Sequence, residues 1–284
     1  MKGVACGAEK VHLVSEVIMK LQKGKRALVT GASSGIGLAF AEALASRGLN
    51  LLLAARSGDK LNELAKRLSA EHKIQADVLV VDLGQVGAAK KVYDSVQAKG
   101  WTVDLLINNA GFGKWGEFLD FDQATYSQMI QLNINTLVEL CHNFLPSLLK
   151  NQGLGIINVG STGSLLPVPY AGVYAATKAF VLSFTDALYG EYASKGPHFM
   201  TLCPGGTATQ FAEVANAEAA KRRGPSGSSP AAVVADALRA FEAGKPYEVT
   251  THDNYFTTAL LPRFLSRKAV IGIVGKVFRK LTGK

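Results

Sequence analysis

Tyr174 and Lys178 stand four residues apart in a stretch patterned as a helix, which puts a phenol and an ammonium on one helix face. A free phenol ionises near pH 10, a poor match to neutral solution. A neighbouring positive charge favours the phenolate, so the spacing predicts a lowered phenol pKa. Such a tyrosine can protonate an alkoxide forming from a ketone, or deprotonate an alcohol in reverse. In a chain with eight tyrosines, though, one such pair arises easily by accident. The surrounding motifs have to carry the reading.

A second stretch speaks for a nucleotide. Thr30-Gly31-Ala32-Ser33-Ser34-Gly35-Ile36-Gly37 follows an apolar run and opens an apolar-periodic segment. A strand feeding a glycine turn and then a helix points backbone N–H groups and a helix dipole at one spot, which suits a pyrophosphate. The spacing is a variant of the dinucleotide fingerprint, with Gly31 for the turn, Gly35 for close approach of phosphate and Gly37 for close packing. At the end of the next strand a NAD site needs an acid for the ribose 2′-hydroxyl. The run there is Leu53-Ala54-Ala55-Arg56-Ser57, with no acid. Arg56, with Ser57 and Ser33, can instead pair a 2′-phosphate, which predicts NADP(H).

These residues need a frame. Apolar runs at Arg26–Thr30, Asn50–Ala55, Ala76–Val81, Val103–Asn108, Gly155–Val159 and His198–Cys203 read as strands. Helical patterns lie at Gly35–Arg47, Asp59–Glu71, Val86–Lys99, Asp122–Leu149, Ala171–Ser194 and Pro230–Ala243. Apolar strands alternating with helices predict an α/β fold, a Rossmann-like doubly wound parallel sheet with helices on both faces. Ligands are then expected at the carboxyl ends of the strands. Residues 217–229 read as a loop before the Ser229-Pro230 helix start. The expected division is an extension at 1–24, the sheet domain at 25–250 and a tail at 251–284.

The ordered motifs together resemble the short-chain dehydrogenase/reductase family, from about Lys25 to Val249. They are Thr30–Gly37, Asp82-Leu83, Asn108-Asn109-Ala110-Gly111, Asn133, Ser161, Tyr174-x-x-x-Lys178 and Pro204-Gly205. The resemblance implies an NADP(H)-dependent oxidoreductase moving hydride between nicotinamide and a ketone or secondary alcohol. Tyr174 would be its acid/base, and Lys178 its electrostatic partner and ribose ligand. Ser161, thirteen residues before Tyr174, would orient the substrate carbonyl, with Ser164 as a decoy. Asn133 would hold a relay water, with Asn135 as the competitor. Gly31, Ser33, Ser34, Gly35, Ile36 and Gly37 would bind the pyrophosphate and Arg56 the 2′-phosphate. Asp82 and Leu83 would meet adenine, and Asn109, Ala110 and Gly111 would line the cleft. Pro204, Gly205, Thr207 and Thr209 would face the nicotinamide, Thr207 being a departure from the usual aliphatic residue. A homodimer or homotetramer built on Asp122–Leu149 and Ala171–Ser194 is also implied.

Substrate and surroundings are less constrained. Phe112, Trp115, Leu165, Leu166, Pro167, Tyr170 and Phe211 fall where the motifs border the cleft, which suggests an apolar carbonyl or alcohol. Net charge is +9, but Arg263, Arg267, Lys268, Lys276, Arg279, Lys280 and Lys284 follow the last acid, Asp253, and leave only +2 elsewhere. A tail property of this kind speaks against a nucleic-acid partner for the whole domain. Val270, Ile273, Val274, Val277, Phe278 and Leu281 form a helical stripe among those cations. It could dock on its own domain, on a partner subunit or on an anionic membrane surface. Val14, Val17, Ile18 and Leu21 make a similar stripe near the amino end, expected to pack on the core. Cys6, Cys141 and Cys203 have no spacing for a disulfide framework or zinc. No apolar run reaches the roughly 18 residues of a spanning helix, and the start lacks a secretory h-region. A cytoplasmic location follows, with membrane association through the tail as the alternative. Two other functional readings stand beside the enzyme: a non-catalytic NADP(H)-binding sensor or scaffold, and a membrane-apposed 3-oxoacyl or lipid ketone reductase.

Overall fold

Leucine, isoleucine, valine and alanine fill the expected strands almost without interruption, as strands covered on both faces require. The computed structural model describes residues 21–192, 194–211, 215, 227–250 and 255–282. Its strands are β1 (Arg26–Thr30), β2 (Asn50–Ala55), β3 (Ala76–Val80), β4 (Leu105–Asn108), β5 (Gly155–Val159), β6 (His198–Cys203) and β7 (Tyr247–Val249). They form one seven-stranded sheet in the order β3-β2-β1-β4-β5-β6-β7. Every pairing is parallel, Val29 lying between Leu53 on β2 and Ile107 on β4. The order reverses between β1 and β4, so a crevice opens at their carboxyl ends. This is the Rossmann-like α/β sheet that the alternation of strands and helices predicts. The pattern does not announce β7, which is three residues long and pairs with β6 alone.

The helices are α1 (Gly35–Ser46), α2 (Gly58–His72), α3 (Ala88–Ala98), α4 (Gln123–Ile130), α5 (Leu137–Lys150), α6 (Gly172–Tyr192), α7 (Pro230–Glu242) and α8 (Arg267–Thr282). On one face of the sheet Phe40 and Leu44 of α1, Leu61 and Leu68 of α2, and Leu238 and Phe241 of α7 pack on Val29, Leu53 and Ile107. On the other, Val92 and Val96 of α3, Phe144 and Leu148 of α5 and Val181 of α6 cover Leu28, Leu106 and Ile156. Each such side chain, once fully buried, contributes about 1.5–3 kcal/mol. Cys141 and Cys203 are buried free thiols, as their apolar neighbours predict.

Two expectations need correction. The continuous helix Asp122–Leu149 is broken: α4 and α5 flank a π-helical turn at Gln131–Thr136. The tail stripe does not share one face. Val270, Val274 and Phe278 pack inward, whereas Ile273 and Val277 stay exposed. Leu21 joins the core as expected, while Val14, Val17, Ile18, Cys6 and most of 217–229 lie outside the described residues. Among the described residues no helix is long and apolar enough to cross a membrane.

Candidate active site

Four strand ends converge on the crevice: β1 leads into the glycine turn, β4 into Asn109–Gly111, β5 into Ser161 and β6 into Pro204. The glycine turn is tightly wound. Gly31 and Gly35 have φ of +66° and +57°, and a Cβ on Gly37 would collide with the Gly31 carbonyl oxygen. Gly37 therefore permits the turn to fold on itself, not only the helix to approach the sheet. Ser34 precedes α1 without a side-chain cap, so the first-turn N–H groups face the crevice with no capping acceptor of their own. That is the donor set a phosphate uses.

Asn109 steadies this turn. Its Nδ2 donates to the carbonyls of Thr30 at 2.9 Å and Gly31 at 3.3 Å. The Thr30 hydroxyl accepts from the N–H of Asn109 at 2.9 Å and of Ala110 at 3.1 Å. Thr209 stands on the other side, where its methyl would lie 3.1 Å from a Cβ on Gly35. Arg56 is exposed at the end of β2, and no described carboxylate forms an ion pair with it. Asp82 accepts from the Gly84 N–H at 3.0 Å, which with Gln85 and the field of Arg56 holds its carboxyl below the usual range. The Leu83 carbonyl accepts from the Thr136 hydroxyl at 2.8 Å. A glycine cradle, uncapped N–H donors and a free guanidinium fit a dinucleotide carrying a 2′-phosphate.

On the β5 side, Ser161 and Ser164 form a capping box at the start of one short turn, Ser161 Oγ accepting from the Gly163 N–H and Ser164 Oγ from the Ser161 N–H, both at 3.1 Å. Ser164 is thus structural, and it presents Ser161. The Ser161 hydroxyl lies close enough to the Tyr174 phenol to favour its ionised form. Lys178 Nζ donates to the Val159 carbonyl at 2.7 Å and lies 5.9 Å from the centre of the Tyr174 ring. Tyr174 packs against Phe211, ring centres 5.4 Å apart, and a Cβ on Gly113 would press on it at 2.9 Å.

In the protein without its dinucleotide, the ammonium alone does not lower the phenol pKa. Burial pushes the Tyr174 phenol up to about 12, against the opposing influence of the Ser161 hydroxyl, and pushes the Lys178 amine down to about 8. Desolvation outweighs attraction because the ammonium is turned onto Val159 and not onto the phenol oxygen. In the protein alone the phenol is therefore held protonated at neutral pH.

Asn133 sits in the π-helical turn, 1% exposed. Its side chain accepts from the Phe112 N–H at 3.2 Å and donates to the Phe112 carbonyl at 2.9 Å and to Thr177 Oγ1 at 3.1 Å. Asn135 is exposed and donates to Gln131, so Asn133 is the one brought to the cluster. A Cβ on Gly111 would stand 3.0 Å from Asn133 Oδ1 and 3.4 Å from Lys178 Nζ, which places all three together. Thr177, which the sequence does not single out, closes the link by donating to the Tyr174 carbonyl at 2.7 Å. Behind the site Asn108 donates to Asn158 at 2.9 Å and Asn158 to Thr185 at 2.9 Å, a buried polar chain that ties β4 and β5 to α6.

Residues 25–220 match the family model for short chain dehydrogenases. The chain belongs to that family. Its relatives and structural neighbours are named as reductases and dehydrogenases. It is 33% identical over 197 residues to a very-long-chain 3-oxoacyl-CoA reductase of Bos taurus, covering 67% of this chain and 62% of that protein. The chain thus spans about three fifths of the length of that relative. Among solved structures, a short-chain dehydrogenase from Sphingobium yanoikuyae in complex with NADPH superposes with a TM-score of 0.76 at 29% identity. The match covers 84% of this chain and 93% of that one. A short-chain dehydrogenase/reductase from Burkholderia phymatum in complex with NAD gives a TM-score of 0.76 at 27% identity, over 84% and 93% of the two chains. Solved short-chain dehydrogenases of this shape therefore include complexes with either dinucleotide.

Proposed function

We propose that the protein is an NADP(H)-dependent reductase of apolar ketones. The observation that carries the reading is the nearness of the Ser161 hydroxyl to the Tyr174 phenol, with the Lys178 amine 5.9 Å from that ring's centre, at the carboxyl ends of strands whose first leads into the glycine turn. Gly31, Ser33, Ser34, Gly35, Ile36 and Gly37 would hold the pyrophosphate, Arg56 the 2′-phosphate and Asp82-Leu83 the adenine side. Asn109, Ala110, Gly111, Pro204, Gly205, Thr207 and Thr209 would hold the nicotinamide end. NADPH, when bound, supplies the hydride for the carbonyl carbon. Ser161 donates a hydrogen bond to the carbonyl oxygen, where charge develops. Tyr174 gives that oxygen its proton, and its high pKa keeps the proton in place until the oxygen is more basic than the phenolate. Lys178, its amine 5.9 Å from the Tyr174 ring centre, would favour the phenolate once formed, and both it and Asn133 border Gly111. Exclusion of water by Phe211 and Gly113 strengthens each of these interactions.

A second, narrower reading makes the substrate a 3-oxoacyl or lipid ketone. Similarity to the 3-oxoacyl-CoA reductase and the apolar border of Trp115, Leu166 and Phe211 support it. NADPH oxidation is followed with short aliphatic, aromatic and 3-oxoacyl ketones. Tyr174→Phe is expected to lower turnover about 100-fold or more while leaving NADPH binding intact. Near-normal turnover in that variant would overturn the mechanism. NADPH binding by the wild type without turnover of any ketone would leave the sensor reading.

A further inference from the structure

The helix α8 has two working faces. Val274 and Phe278 turn inward onto a cluster of Val168, Ala171 and Ala175 with Trp115 and Leu166, and Val270 one turn earlier is buried as well. The Phe278 and Trp115 rings meet edge to face at 5.5 Å, and Arg279 Nε donates to the Tyr170 hydroxyl at 3.0 Å. Ala175 is the neighbour of Tyr174, so the helix leans on the rim of the proposed cleft.

The outward face follows a different stripe. Ile273, Lys276, Val277 and Lys280 stand at i, i+3, i+4 and i+7, one line along the helix, and all four are exposed. Ile273 and Val277 leave 54% and 52% of their surface open. Just before the helix, Phe264 is 79% exposed and Phe256 48%, with Arg263, Arg267 and Lys268 exposed around them. No acidic residue follows Asp253, and no described carboxylate pairs with these cations. An apolar ridge interleaved with unneutralised lysines is the surface that inserts side chains among lipid tails while its ammonium groups meet phosphate. A two-fold contact with a second copy would set these cations against themselves, with no acid in the patch to answer them.

We infer that the outward face of α8, with Phe264 before it, rests on an anionic phospholipid bilayer. The rim formed by Trp115, Leu166 and Tyr170 then lies one helix thickness from the lipid. Vesicle binding is read without turnover, so its failure is separable from that of the ketone reductase reading.

The test uses the full chain and sedimentation with phosphatidylcholine vesicles or vesicles enriched in phosphatidylserine. Wild type is expected to sediment with the serine lipid and little with phosphatidylcholine, and added salt is expected to release it. Lys276→Gln/Lys280→Gln is expected to weaken binding about 30-fold, and Ile273→Asn/Val277→Asn at least as much. Both are expected to keep wild-type turnover of a water-soluble ketone, which shows that they fold. Equal binding to the two vesicle types, no binding to either, or unchanged binding by both variants would overturn the inference. So would self-association abolished by these substitutions, which assigns the face to a second copy. Capture by polyglutamate with no affinity for phosphatidylserine would assign it to an acidic protein instead.

Discussion

The Asn109 amide and the Thr30 carbonyl oxygen meet at 2.9 Å, joining the end of β4 to the first bend of the glycine turn. Two strands on either side of the switch in sheet order are thereby locked to the segment proposed to hold phosphate. The motif around Asn109 is thus part of the cradle's construction.

Replacing Asn109 by Ala removes the donor to both the Thr30 and the Gly31 carbonyls. Unmade hydrogen bonds of this kind cost about 1–3 kcal/mol. A lowered melting temperature is expected, together with an NADPH dissociation constant raised on the order of tenfold by fluorescence titration. A normal constant would mean that the turn holds its shape without the amide.

Arg56→Asp exchanges the exposed guanidinium for the carboxylate of a ribose-binding site. Charge-assisted hydrogen bonds contribute about 1.5–3 kcal/mol, and the new charge repels a 2′-phosphate. The kcat/KM for NADPH is expected to fall about 100-fold, and that for NADH to rise. Steady-state rates with both dinucleotides decide it, and an unaltered preference removes Arg56 from the pocket.

His198 gives the fold an acid limit. Its Nε2 bonds the Lys245 carbonyl at 2.9 Å, and burial pushes its pKa from 6.5 down to about 4. Between those values the unfolded chain binds the proton and the folded chain does not. Stability is therefore complete above pH 6.5 and drains away as the pH falls towards 4, by about 3 kcal/mol in all. Urea unfolding at stepped pH is expected to show this slope in the wild type and a shallower one in His198→Gln. Parallel curves would place the acid sensitivity elsewhere.

The frame was readable wherever local pattern and tertiary need coincide. β1, β2, β5 and β6 begin and end where their apolar runs do, and the glycine turn follows β1 as its spacing requires. The π-helical turn was hidden because Gln131–Thr136 holds no glycine or proline and keeps the apolar rhythm of its neighbours. What breaks the regular helix is distant in sequence: Asn133 bonds the Phe112 backbone and Thr177. Functional helices often carry such an insertion. The raised phenol of Tyr174 was equally invisible, since spacing tells which groups are near but not how dry the space between them is. Thr177 escaped notice because a threonine inside a helix has no signature until its partner arrives. The tail showed its amphipathic character in the sequence, yet only packing separates Val274 and Phe278, turned inward, from Ile273 and Val277.

Tyr170 has a φ of 67°, a conformation that costs a bulky residue of order 1 kcal/mol or more. It is gripped at both ends, its carbonyl by the Gly116 N–H and its hydroxyl by Arg279. The docking of α8 is therefore linked through one guanidinium to a backbone that is already cocked. Displacing α8 would free the Tyr170 ring and let that bend relax, reshaping the border of the proposed cleft.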